Sequence, residues 1–114
     1  MYSFPFFITA PLSNNSFSYD KRSQPKLYVP ELIEGKVEDV KLGDQIVFED
    51  FDDDGNLRSC KGLKQFIKTL VQGVPTYIFD NHNHAFAFWN LERAKGNVQD
   101  GSLLIHVDQH KDTR

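Results

Sequence analysis

The sequence predicts an α/β fold built on parallel strands, and three observations carry that prediction. A short apolar run, Val74 to Phe79, is followed by a helical pattern over Ala85 to Lys95 and then by a second apolar run, Leu103 to Val107. Strand, helix, strand in that order normally closes as a right-handed crossover between two parallel strands. Both runs are short, apolar and bounded by polar or turn-forming residues, the pattern of strands buried on both faces. A chain of 114 residues with ten Phe holds enough apolar material for one core and too little length for two domains.

Taken in order, Tyr2 to Ile8 reads as a strand rich in aromatic residues, with Pro5 favouring an edge position. The stretch from Pro11 to Pro25 is a loop of Ser, Asn and charge with little reason to order by itself. Leu27 to Ile33 is a short strand interrupted by Pro30, and Ile46, Val47 and Phe48 mark another, where Gly43 argues against a helix. Asp50, Asp52, Asp54 and Gly55 match the first half of a calcium loop, but Lys61 occupies the position that needs a bidentate Glu. The segment therefore reads as an acidic turn, after which Ser59 offers a helix cap. From Cys60 to Val71 the spacing of Leu63, Phe66, Ile67, Leu70 and Val71 predicts an amphipathic helix, with Lys61, Lys64, Lys68 and Gln72 on the other side and Gly73 ending it. Cys60 falls in its first turn, where amide dipoles favour a thiolate, but no base is local. The chain thus reads as one unit, 1–114, with strands and acidic loops over 1–58 and a helix plus a strand-helix-strand unit over 59–114.

Charge narrows the function. The segment from Glu31 to Asp54 holds ten acidic residues against Lys36 and Lys41, a local charge of −8 that leaves +5 on the rest. Only Arg58, Lys61, Lys64 and Lys68 begin to gather positive charge, too few to predict nucleic-acid binding. No apolar run approaches the roughly 20 residues of a spanning helix, so no membrane role is expected. A single Cys forms no internal disulfide, and the residues after Met1 lack the basic start of a secretory signal, which points to a cytoplasmic protein.

The polar residues that carry chemistry lie at the ends of the two predicted parallel strands. His82, Asn83 and His84 follow the first, and Asp108, His110 and Asp112 follow the second. Groups beyond the carboxyl ends of neighbouring parallel strands share one crevice. In an extended segment Asp108, His110 and Asp112 lie on one face, and a divalent cation would relieve the repulsion between two carboxylates there. Mixed carboxylate and imidazole ligation without sulfur suits manganese, iron, zinc or cobalt.

The runs Tyr77-Ile78-Phe79-Asp80-Asn81-His82-Asn83-His84 and His106-Val107-Asp108-Gln109-His110-Lys111-Asp112 resemble the metal motifs of the arginase-like ureohydrolase superfamily, and in particular the UPF0489 family, whose members include peptide arginases. The resemblance covers about Val74 to Asp112. It implies a three-layer arginase-like parallel sheet, of which this chain would be the N-terminal portion. It also implies two Mn2+ ions in the complete site, with Fe2+, Co2+ or Zn2+ as alternatives. His82 and Asp112 would hold the first metal, Asp108 would bridge the pair and His110 would hold the second, with His84 as a proton-shuttle candidate. No other cofactor is implied. Asp80 and Asn81 replace the glycine and aspartate usual before the first ligand, and Gln109 replaces alanine.

The reaction implied is hydrolysis of arginine side chains in a peptide to give urea and ornithine, or of another guanidino substrate to give urea and the corresponding amine. A metal-bound hydroxide would be the nucleophile. Two further metal aspartates are expected from a later strand, so the 114 residues alone are expected to be inactive and to await a C-terminal part, a complementing chain or self-association. The alternative is a noncatalytic metal-binding or protein-interaction module, favoured by the incomplete sheet, the acidic segment and the exposed edge of the last predicted strand.

Overall fold

The computed structural model describes residues 2–107, which form a mixed α/β fold with several sheets. β1 (Phe6–Ile8) and β2 (Leu27–Val29) pair antiparallel, with Pro5 before the first and Pro30 after the second. Neither proline can donate to a ladder, so both stand where pairing stops. Phe7 and Tyr28 lie opposite each other with ring centroids 5.3 Å apart.

The loop joining these strands is tied by buried polar side chains, with Phe17 packed edge-on against Phe48 at 5.7 Å. Asn15, fully buried, donates through Nδ2 to the carbonyls of Ala10 and Pro25 at 2.9 Å and of Ile8 at 3.1 Å. Arg22 donates through Nη2 to the backbone carbonyl of Asn15 at 2.7 Å and to its Oδ1 at 2.9 Å. The Arg22 guanidinium also sits 3.5 Å from the carboxylate of Glu49, whose other oxygen accepts from Ser59 at 2.7 Å. A buried charge needs such partners, because desolvating it alone is costly.

Glu49 belongs to β4 (Leu42–Phe51), which forms an antiparallel ribbon with β5 (Leu57–Leu63). The acidic turn is present at its tip: Asp52 Oδ1 accepts from the amides of Asn56 and Asp54, and Oδ2 accepts from Arg58 Nε at 2.8 Å. The Asn56 amide and then Arg58 hold the Asp52 carboxyl below its ordinary range. Ser59 caps no helix; it lies in β5 opposite Glu49.

The helix expected from Cys60 to Val71 is instead the end of β5 and all of β6 (Phe66–Val71). Ile67, Thr69 and Val71 are β-branched at a period of two, which suits a pleated strand better than a helix. Gln72 and Gly73, with φ of 51° and 79°, form a tight turn of the kind that favours β-hairpins, and β7 (Val74–Ile78) returns antiparallel with Val71 opposite Val74. Gly73 therefore reverses a strand rather than stopping a helix, and Cys60, exposed in β5, has no helix terminus beside it.

β6 also pairs with β3 (Leu32–Glu34), and this is the parallel pair among the described residues, in the order β3-β6-β7. α1 (Ala85–Ala94) packs Phe88 into the core with Val29 and Phe66, surrounded by Tyr2, Ile8, Leu32, Leu63, Tyr77 and Phe79. Tyr77 stacks on Phe88 at 4.6 Å and donates to Glu92 at 2.5 Å, which joins β7 to α1 by both contact and hydrogen bond. The strand predicted over Leu103 to Val107 does not form: that tract is in no sheet and is exposed. The expected parallel crossover from β7 through α1 is absent among the described residues, and the three-layer parallel sheet with it.

Candidate functional site

The polar run at the end of β7 is a fastening point for four parts of the chain. Short side chains that bond backbone favour such turns over regular structure. Asp80 accepts from the Leu63 amide of β5 at 3.2 Å, and Asn81 donates through Nδ2 to the Val47 carbonyl of β4 at 2.7 Å. A 3-10 turn, His82–His84, then leads into α1. Asn83 exchanges hydrogen bonds with the N-terminal loop, donating to Ser13 at 2.8 Å and accepting from Asn14 at 3.3 Å. The Tyr2 hydroxyl and His84 Nδ1 lie 2.7 Å apart.

His84 is buried among aromatic rings, with Phe66 at 4.9 Å and Phe79 at 6.4 Å between centroids. Burial pushes its pKa below the ordinary 6.5, partly opposed by the charge of Asp80. A neutral ring with its proton on Nε2 accepts the Tyr2 proton at Nδ1. Desolvation also raises the Tyr2 pKa. His82, two residues before His84 in the same turn, is exposed. The structure thus places the two predicted histidines in opposite surroundings, one at the surface and one in the core.

Asp108, His110 and Asp112 lie outside the described residues. Among the described residues no group of three or more His, Cys, Asp or Glu side chains is placed to hold a metal ion. The physical reason is the missing crossover: among the described residues Leu103 to Val107 adds no strand to this sheet, so no second parallel strand end stands beside that of β7. This corrects the expectation of a manganese site, with Fe2+, Co2+ or Zn2+ as alternatives, and with it that of a metal-dependent hydrolase of the peptide-arginase type.

Two features escaped the sequence reading. One is the Asn15 and Arg22 network, whose partners Ile8, Pro25 and Glu49 are distant in sequence. The other is Glu92, which accepts from Tyr77 and Asn97 and faces Lys68 at 3.7 Å and Lys95 at 3.6 Å. Its helical partner Lys95 was readable from their spacing of three; its strand partners were not.

The surface of α1 is the more informative part. Phe86 and Trp89 are 71% and 48% exposed, and the chain after α1 returns beside them. Phe86 and Trp89 line a groove of about 480 Å³ with Leu103 and Leu104, and Trp89 lines a second of about 310 Å³ with His82, Ala85 and Leu104 to Val107. Among the described residues no helix is long and apolar enough to cross a membrane. Compared with known protein families, with curated proteins and with solved structures, the chain matches none.

Proposed function

We propose that this chain is a protein-interaction module that binds an extended apolar polypeptide on the surface formed by α1 and the tract Leu103–Val107. The observation that carries this reading is the exposure of Leu103, Leu104, Ile105 and Val107, between 62% and 90%, beside Phe86 and Trp89. Contiguous apolar surface of this kind marks association sites, whereas single exposed apolar residues need no explanation. The grooves on both sides of Trp89 give an extended chain places to set its side chains. A strand donated by a partner adds main-chain hydrogen bonds to apolar burial, the usual basis of β-augmentation.

Trp89 is the sole tryptophan and lies on the surface in question, so its emission reports occupancy. Titration with short peptides of alternating apolar residues is expected to shift the emission to shorter wavelength and to saturate. Peptides with charges at the apolar positions should leave it unchanged. If no apolar peptide produces a saturable shift, the reading fails.

A further inference from the structure

We infer that the occupant of this surface is a second copy of the chain, joined through antiparallel pairing of the two Leu103–Val107 tracts about a two-fold axis. The inference rests on the interaction reading above and names its partner.

Three observations select a second copy. The first is self-complementarity. With the axis through Ile105, the pairing sets Leu103 against Val107 of the partner subunit, Ile105 against Ile105 of the partner subunit, and Leu104 against His106 of the partner subunit. Isologous contacts require this kind of match, in which one patch serves both sides. Leu and Val, or Ile and Ile, placed opposite each other are favourable cross-strand pairs.

The second is charge. Residues 101–107 contain no Asp, Glu, Lys or Arg, so bringing two copies together opposes no like charges within the tract. The nearest charged groups lining the larger groove, Arg93 and Asp100, already neutralise each other at 2.6 Å. A partner selected for strong charge would find no complement here.

The third is area. The exposed surfaces of Phe86, Trp89, Leu103, Leu104, Ile105 and Val107 amount together to roughly 800 Å², the share that one partner contributes to an interface of standard size. The strip is long enough to hold a dimer without recruiting other faces of the molecule. Trp89, partly exposed between the two grooves, is the side chain expected to anchor it, since aromatic residues dominate such contacts.

The test is sedimentation velocity on the full chain from about 1 µM to about 500 µM, with Trp89 emission followed on the same samples. The wild type is expected to pass from monomer to dimer as concentration rises, with the emission moving to shorter wavelength over the same range. Ile105→Asp should weaken association at least about tenfold, while Leu70→Asp, at an exposed apolar site on β6, should associate like the wild type. Circular dichroism on both variants shows that each remains folded. Undiminished dimerisation of Ile105→Asp, or equal loss in both variants, overturns the assignment. A wild type that stays monomeric while Trp89 still responds to apolar peptides removes the second copy and leaves the interaction reading standing. No response to either removes both.

Discussion

The loop from Pro11 to Pro25 is rich in Ser, Asn and charge, yet Asn15 within it is fully buried and Arg22 is 5% exposed. The tract Leu103–Val107 is almost wholly apolar, yet Val107 is 90% exposed and Leu103 86%. Composition alone assigns these two regions the wrong way round. What separates them is the supply of partners. Asn15 donates to carbonyls, and Arg22 finds a carbonyl and an amide oxygen through Nη2 and the Glu49 carboxylate at 3.5 Å. These partners offset part of their desolvation, even though Arg22 Nε and Nη1 make no hydrogen bond among the described residues. Among the described residues the tract pairs with no strand, so its apolar side chains stay at the surface.

The strongest way to break this contrast is to remove the cation that organises the polar loop. Arg22→Met is expected to cost about 3 kcal/mol, because it leaves the Glu49 carboxylate and the Asn15 carbonyl without their buried partner. Urea denaturation measures it, and a loss below about 1 kcal/mol would show that the loop is held by other means.

Acid sharpens the comparison next, since the loop is also fastened to the turn that holds His84. The folded-state pKa of His84 lies below its unfolded value of 6.5. The unfolded chain therefore takes up the proton first as pH falls, and stability declines from about pH 6.5 down to the folded-state pKa, by at most about 1.4 kcal/mol per pH unit. Above that window the contribution is constant. Thermal denaturation across the range should show this slope in the wild type and a flatter one in His84→Gln.

The smallest effect is expected in the tract. Ile105→Ser, at high dilution where chains are separate, should change stability by no more than about 0.5 kcal/mol, as exposed positions do. A larger loss in urea denaturation would mean that the tract contributes to the fold of the single chain.

Part of this was legible in the sequence. The presence of β7, the helix that follows and the acidic turn all declared themselves through local pattern, although β7 is half-exposed rather than buried on both faces. Leu63, Phe66, Ile67 and Leu70 misled because spacings of three and four fit a helix, while the Gln72-Gly73 turn and the β-branched alternation of Ile67, Thr69 and Val71 fit a hairpin. The roles of Asp80, Asn81 and Asn83 were not legible, because each depends on a partner brought near only by the fold. The same polar density that resembled a metal motif serves as a set of ties between segments.

The parallel pairing of β3 with β6 sets a timetable for the chain. β6 and β7 meet across a two-residue turn, and β4 and β5 across a short one, so both ribbons close within microseconds and at little entropic cost. Leu32 must find Phe66, 34 residues away, and a pairing that closes so long a loop is expected to form last, after the rate-limiting step. Folding-rate analysis is expected to place Val71 early, with a φ-value above about 0.5, and Ile33 late, with one near zero. Substitutions in β3 should accordingly hasten unfolding while leaving the rate of folding almost untouched.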